Sequence, residues 1–195
     1  MIGYMLDRIT VARCNLGFYA ENIAKIIAII PDSVRVMAVV KANAYGHGIE
    51  QIAKVAVEAG ARYLGVVSIG ELRKLRNAGI KAPILLINYL DAASVPEAIT
   101  LGAAITVMDE SLVPVIEAAA YAQSKVVAIH IKLDTGMHRA GCDPSQLVAI
   151  AKMVEHSPSL RLEGLFTHFA ESESTDHTFT LEQLAVFNSA IRTLA

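Results

Sequence analysis

The sequence lacks tryptophan entirely and has only two cysteines, Cys14 and Cys142, among its 195 residues. Because these cysteines lie far apart and form no CxxC pair, a disulfide scaffold and a zinc cluster are both excluded, which indicates a reducing compartment. The histidines and carboxylates show no metal-ligand spacing either, so we predict that the protein binds no metal.

Net charge and long apolar runs are missing as well. The 17 Lys and Arg side chains nearly balance 19 Asp and Glu side chains, and without a basic run there is no electrostatic footprint for nucleic acid or an anionic membrane. No apolar stretch reaches the ~18 residues of a membrane span, and Met1–Leu6 lacks the basic and apolar regions of a secretion signal. These absences predict a soluble, cytoplasmic protein without nucleic-acid or membrane partners.

Apolar residues, in contrast, are abundant and make up 54 % of the chain. Together with the near-zero net charge, this content excludes a disordered chain. Six apolar runs rich in Val, Ile and Leu, most of them without polar alternation, predict strands buried on both faces. These runs are Val34–Val40, Tyr63–Ile69, Pro83–Asn88, Ala103–Met108, Val126–Leu133 and Leu162–Phe169.

Helices are predicted around these strands from their start signals. A first helix covers about Asn15–Ile29, ahead of the first strand. Capping boxes at Ser68–Glu71 and Ser94–Glu97 open two later helices. Asp143-Pro144 places a cap before a first-turn proline, and Thr180–Gln183 opens the last helix.

The resulting order is one helix followed by six βα units, which implies a parallel sheet with right-handed crossovers. A doubly wound sheet and a (β/α)₈ barrel of the TIM type both satisfy that order. No GxGxxG or GxxxxGK[ST] segment follows a strand, which removes the two commonest phosphate loops and favours the barrel. Since a full barrel takes ~250 residues, we expect residues 1–195 to form one incomplete barrel domain of about six units.

Active sites of such barrels lie at the carboxyl ends of the strands, and the first candidate there is the decapeptide Val39–Gly48. A lysine that ends a buried apolar strand, as Lys41 does, is desolvated, which favours the free amine needed to form a Schiff base. Tyr45 adds a hydroxyl from the following loop, and Gly46 and Gly48 let that loop approach a ligand closely. The alternative is a lysine that simply reaches solvent from a strand end.

The second candidate is a polar column on the fifth strand. His130, Lys132 and Asp134 share one face of that strand, and a strand covered by helices should carry such a column only where it meets polar partners. Arg139, just beyond, supplies a planar fork for an anionic or phenolic oxygen. The alternative is a structural buried ion pair between Lys132, Asp134 and their neighbours.

The third candidate is His168, at the end of the sixth predicted strand. Its imidazole could stack on a planar ring or act as an acid–base group. A lone histidine at a strand end is more often a structural residue, so this signal depends on the other two.

Three segments, taken together, resemble the amino-terminal half of bacterial alanine racemases, which are fold-type III enzymes that use pyridoxal 5′-phosphate. They are Val39–Gly48, Lys132–Arg139 and Thr167–Ala170, which occur in the family's order and each at a predicted strand end. Asn43 lies within the first of them, and the resemblance implies a supporting role for it.

The resemblance also implies roles for the other matched positions. Lys41 would hold the cofactor as an internal aldimine and then act as the base on one face of the substrate α-carbon. Tyr45 would bind the cofactor phosphate, and Arg139 would bond the phenolic oxygen and the substrate carboxylate. Lys132 would orient Arg139, in some members as a carbamate, and His168 would lie against the pyridine ring.

The implied activity is the interconversion of L- and D-alanine in a homodimer, for cell-wall D-alanine. It needs a second acid–base group, a tyrosine from the partner subunit, and that tyrosine and a carboxy-terminal β domain are expected to be absent here. One alternative is therefore a pyridoxal-phosphate-binding module without turnover. A cofactor-free, aldolase-like Schiff-base enzyme is less favoured because it has no need of Tyr45, Arg139 and His168. A preference for serine over alanine stays open.

Overall fold

The computed structural model describes residues 12–194, so the prediction for Met1–Leu6 lies outside the described part. Within it, six strands form one parallel sheet in which each strand pairs with its neighbours in chain order. The strands are β1 (Met37–Val39), β2 (Tyr63–Val66), β3 (Ile84–Leu86), β4 (Ala104–Val107), β5 (Val127–Lys132) and β6 (Leu160–Phe166). This sequential order is that of a barrel and excludes the doubly wound sheet, whose order reverses at a switch point.

The helices alternate with the strands as predicted, apart from an additional short turn after β1. They are α1 (Leu16–Ile29), α2 (Lys41–Tyr45, the additional turn), α3 (Ile49–Glu58), α4 (Ile69–Asn77), α5 (Val95–Thr100), α6 (Leu112–Ala122), α7 (Leu147–His156) and α8 (Thr178–Leu194). The predicted cap at Ser68 is confirmed, since its hydroxyl accepts the Glu71 N–H at 3.2 Å. The Asn15 side chain caps α1 by accepting the Phe18 N–H at 3.1 Å. None of the helices within residues 12–194 has the length and apolar character to cross a membrane.

Three of the predicted helix starts need correction. The boundary of α5 at Ser94 is right but its cap is not, and α7 and α8 begin at residues other than those predicted. Ser94 makes no side-chain cap; instead Asp91 accepts both its N–H and its hydroxyl, in a 3₁₀ turn that leads into α5. Asp143 accepts the Ser145 N–H in a turn, and α7 begins only at Leu147. In each case an aspartate satisfies backbone or hydroxyl groups two or three residues ahead and so sets the boundary.

The last helix shows the same effect. It begins at Thr178 rather than Thr180, with the Asp176 carboxylate accepting the Thr178 N–H at 2.9 Å. Strand β6 likewise ends at Phe166, before the predicted Phe169. His168 therefore lies in the loop between β6 and α8 rather than within the strand.

The sheet curves until side chains from distant strands meet. The hydroxyl of Tyr63 on β2 donates to the carboxylate of Glu163 on β6, although four inter-strand steps of ~4.8 Å would separate these strands by roughly 19 Å in a flat sheet. The curvature therefore encloses a lumen, as in a barrel. Strand β5 alternates across it: Ile129 and Ile131 are fully buried in the core, and His130 and Lys132 face the lumen.

Candidate active site

A cavity of about 320 Å³ opens where β1, β5 and β6 end. Five of the six predicted site residues line it, namely Lys41, Tyr45, Lys132, Arg139 and His168. Its remaining walls are mainly apolar and are formed by Met37, Val39, Leu85, Ile87 and Phe166, together with His130 and Thr167. The strand-end residues selected from the sequence thus surround a single space.

Lys41 begins a left-handed helical turn, which is rare for residues with side chains. Ala42, Asn43, Ala44 and Tyr45 have φ angles of 51°, 55°, 53° and 53°. Each L-residue in this conformation costs about 1–2 kcal/mol, and such strain persists only where the surroundings enforce it. The turn carries Lys41 at its start and Tyr45 at its end, and the Lys41 Nζ lies 6.0 Å from the centre of the Tyr45 ring.

Asn43 supports this turn from outside the cavity. Its side-chain oxygen accepts the first N–H of α3, that of Ile49, at 3.0 Å, and its carbonyl accepts the Gly48 N–H at 2.9 Å. Gly46, at φ 87°, ends the turn and donates to the Ala42 carbonyl at 3.0 Å. These bonds join the turn to the helix that follows.

Lys132 is the last residue of β5 and is only 7 % exposed. Burial first, and then the Arg139 cation, lower the pKa of this amine; Asp134 raises it, and Lys41 adds a smaller lowering effect. The ion pairs of the described residues include none at Lys132; Asp134 instead accepts the N–H groups of Gly136 and His138, each at 3.0 Å, and lies 3.5 Å from His138 Nδ1. A structural ion pair between Lys132 and Asp134 is therefore not formed.

Arg139 projects from a loop that closes on itself. Cys142 donates its N–H to the Lys132 carbonyl at 2.8 Å, and its own carbonyl accepts the Asp134 N–H at 3.0 Å. Gly141, at φ 138°, forms the neck of this loop. Burial raises the pKa of the Cys142 thiol to about 11, which fits a packed, unreactive cysteine.

His168 is held through its backbone. The fully buried Gln183 of α8 donates to the His168 carbonyl at 3.1 Å and accepts the Ala170 N–H at 2.9 Å. Thr167 adds a bond to the Leu133 carbonyl at 2.9 Å. Burial, followed by the Arg139, Lys132 and Lys41 cations, lowers the pKa of His168. Sequence reasoning missed Gln183, whose only signal is a polar residue on the inner face of the last helix.

Basic groups dominate the electrostatics of this cavity. Lys41, His130, Lys132, Arg139 and His168 line it, and no carboxylate is found among the described lining residues. Five basic groups beside apolar walls, with no carboxylate in the lining, suit a flat ring that carries anionic substituents.

His130, which lines the cavity, also lies beside a polar group that the sequence did not reveal. The Glu163 carboxylate accepts from Tyr63 and Arg161, while His130 Nε2 lies 3.5 Å away, longer than a good hydrogen bond. Burial lowers the pKa of His130, against the raising effect of Glu163. The His130 ring packs directly over Gly164, where an added Cβ would lie 2.6 Å from Nδ1 and 2.8 Å from Cε1.

This contact predicts that the effect of Gly164→Ala depends on His130. In the wild-type background the added methyl group should lower the free energy of unfolding by about 1–3 kcal/mol, because the packed lumen cannot accommodate it. In a His130→Ala background the same change should be neutral or raise the unfolding free energy by about 0.5–1 kcal/mol, since alanine is favoured over glycine within a strand. Urea unfolding of the four variants measures both effects, and equal losses in the two backgrounds would contradict the packing argument.

Comparisons with known proteins agree with this geometry. The family model described as alanine racemase, N-terminal domain, matches residues 14–195. The alanine racemase of Treponema denticola is 37 % identical over 188 residues, which are 95 % of this chain and 50 % of that protein. Alanine racemase 2 of Oceanobacillus iheyensis is 40 % identical over 163 residues, covering 83 % and 41 % respectively.

Solved structures show the same relationship. Alanine racemase from E. faecalis superposes with a TM-score of 0.85 at 31 % identity, over 93 % of this chain and 49 % of that one. The Bacillus anthracis enzyme with bound L-Ala-P gives a TM-score of 0.84 at 34 % identity, over 91 % and 46 %. The chain thus spans about half the length of these relatives. By sequence, fold and the strand-end residues it brings together, it belongs to the alanine racemase N-terminal domain family.

Proposed function

We propose that this chain is the pyridoxal-phosphate-binding barrel part of an alanine racemase, which interconverts L- and D-alanine. The observation that carries the proposal is the cavity itself, in which five basic side chains, with no carboxylate in the described lining, surround a space with apolar walls. Pyridoxal 5′-phosphate is a flat ring with a phosphate and a phenolic oxygen, so its shape and charge fit this set of donors.

Five of the residues that line the cavity then have a role toward the cofactor. Lys41 would hold it covalently, and the Tyr45 hydroxyl would bind its phosphate. Arg139 would donate to the phenolic oxygen and to the substrate carboxylate, and His168 would lie against the ring. Lys132, whose lowered pKa favours the free amine, would orient Arg139; the free amine is also the form that reacts with carbon dioxide to give a carbamate.

Racemisation requires that a proton leave one face of the α-carbon and return to the other. When bound, the cofactor supplies an electron-withdrawing ring that acidifies that proton. The Lys41 Nζ would accept or return it on one face. The opposite face needs a second group, which we propose to be a tyrosine of a partner subunit in a homodimer.

The half-length match favours a second candidate function. A barrel of six βα units that holds Lys41, Arg139 and His168 but no second base would bind the cofactor without turning over alanine. We propose that residues 1–195 form one such incomplete barrel domain, and only the assay for D-alanine separates the two functions.

The test is to incubate the protein with pyridoxal 5′-phosphate and L-alanine and to measure D-alanine by chiral chromatography. Borohydride treatment of a parallel sample, followed by mass spectrometry, reports covalent attachment. We expect attachment together with D-alanine for the racemase, and attachment alone for the binding module. A protein that attaches no cofactor would contradict both proposals.

A further inference from the structure

The strained turn that carries Lys41 and Tyr45 is anchored at its first amide by a residue outside the cavity. The Ala42 N–H, immediately after Lys41, donates to Glu71 Oε1 at 2.7 Å. Glu71 belongs to α4, which follows the neighbouring strand β2. The bond therefore joins the ends of two adjacent strands at the edge of the sheet where the cavity opens.

The second oxygen of the same carboxylate completes this connection. Glu71 Oε2 accepts the Val67 N–H, just beyond β2, at 2.9 Å, while the Glu71 N–H donates to Ser68 at 3.2 Å. The carboxylate is thus fixed between two backbone donors, one after each strand. An anionic acceptor makes both of these hydrogen bonds stronger than neutral ones.

The hydrogen bonds within the turn are donated by later amides, whereas the first amide, that of Ala42, donates to Glu71. The Ala44 N–H donates to the Val40 carbonyl at 2.8 Å, and the Gly46 N–H donates to the Ala42 carbonyl at 3.0 Å. The Val40 N–H donates to the Gly65 carbonyl of β2 at 2.9 Å and so fixes the residue before Lys41. Beyond that point, the carboxylate of Glu71 attaches the turn itself to the end of β2.

We propose that Glu71 is a positioning residue: it holds the left-handed turn in the orientation that points Lys41 and Tyr45 into the cavity. Glu71 is not among the residues that line the cavity, so it acts through the backbone of Ala42 and not on a ligand. The role rests on the proposed function, since it matters for catalysis only if Lys41 holds the cofactor.

Glu71→Gln tests the role with little change of shape. Glutamine presents one oxygen and one NH₂ group, so it can accept from only one of the two backbone donors and sets a donor against the other. Glu97→Gln is the matched control, because Glu97 forms an exposed ion pair with Arg73 on α4, away from the turn.

The first readout uses the protein without cofactor. Amide hydrogen exchange of Ala42 and Val67 should accelerate by roughly tenfold or more in Glu71→Gln, since loss of the anchor permits local opening. The exchange of core amides such as Ile105 should not change, and Glu97→Gln should leave Ala42 unaffected. Unchanged exchange at Ala42 in Glu71→Gln would overturn the proposal.

The second readout is the rate of covalent attachment of pyridoxal 5′-phosphate, trapped with borohydride and mapped by mass spectrometry. Glu71→Gln should slow attachment by roughly 10–100-fold, because a displacement of about 1 Å at a reacting group has effects of that size. Glu97→Gln should change it by no more than about twofold, as expected for an exposed ion pair.

The exchange of core amides separates a positioning role from a general loss of folding. In Glu71→Gln the exchange of Ile105 should stay at its wild-type rate while attachment slows. Faster exchange throughout the core together with slower attachment would overturn the proposal. If the wild-type protein attaches no cofactor, the proposed function fails; if it attaches and Glu71→Gln attaches equally fast, the role of Glu71 alone fails.

Discussion

Lys41→Ala is expected to abolish covalent attachment of pyridoxal 5′-phosphate, whereas Lys54→Ala should leave it intact. Lys41 is half-buried at the entrance to the turn and lines the cavity, while Lys54 is exposed on α3. An amine forms a stable covalent bond with an aldehyde only where the rest of the ligand is also held. In the proposed site, the apolar walls, the Arg139 cation and the His168 ring would supply that hold around Lys41.

The measurement is intact mass after borohydride reduction, followed by peptide mapping. Lys132 makes this a demanding test, because it lines the same cavity and has a lowered pKa. Its amine is therefore the competing nucleophile in the described part of the site. Attachment mapped to Lys132 in the wild-type protein, or persisting at full extent in Lys41→Ala, would contradict the assignment.

The second large effect is expected for Gly141→Ala, which should lower the free energy of unfolding by about 2–5 kcal/mol. Gly141 has a φ of 138°, and an added Cβ would lie 2.5 Å from the Asp134 nitrogen and 2.8 Å from the Leu133 carbonyl carbon. Both of these are backbone atoms of the segment that continues β5, so neither can rotate away. The methyl group would instead force the neck of the Arg139 loop open.

Gly79→Ala is the matched control for that prediction. Gly79 also has a positive φ, 79°, but an added Cβ would meet nothing within 4 Å. Its substitution should cost only the conformational term, about 1–2 kcal/mol. Urea unfolding gives both values, and a loss for Gly141→Ala no larger than that for Gly79→Ala would show that the loop tolerates the contact.

The sequence was sufficient to locate the cavity because its signals are local. Lys41, Arg139 and His168 each follow an apolar run, and parallel strands bring their carboxyl ends to one edge. The contact between Tyr63 and Glu163 spans 100 positions and depends on how far the sheet curves. Curvature of that kind leaves no pattern in either strand.

The left-handed turn and the actual helix starts could not be predicted from the sequence, for a different reason. Ala42, Asn43 and Ala44 include no glycine, and Asn43 is the one residue among them of a type enriched at positive φ, which does not predict a run of four. The bond that anchors the turn joins the Ala42 N–H to Glu71, which lies 29 positions further along the chain. At the helix starts, Asp91 and Asp176 compete with serine and threonine side chains to accept backbone N–H groups. Which side chain does so depends on loop geometry, which the spacing of residues does not specify.

The left-handed turn also constrains which sequences this loop can accept. Residues 42 to 45 follow the path that a chain of D-amino acids would take without strain, as the mirror image of an ordinary helix. Asparagine, aspartate and glycine tolerate that path, whereas β-branched residues do not. The absence of β-branched side chains at residues 42 to 45 is therefore a requirement of handedness, quite apart from any contact with a ligand.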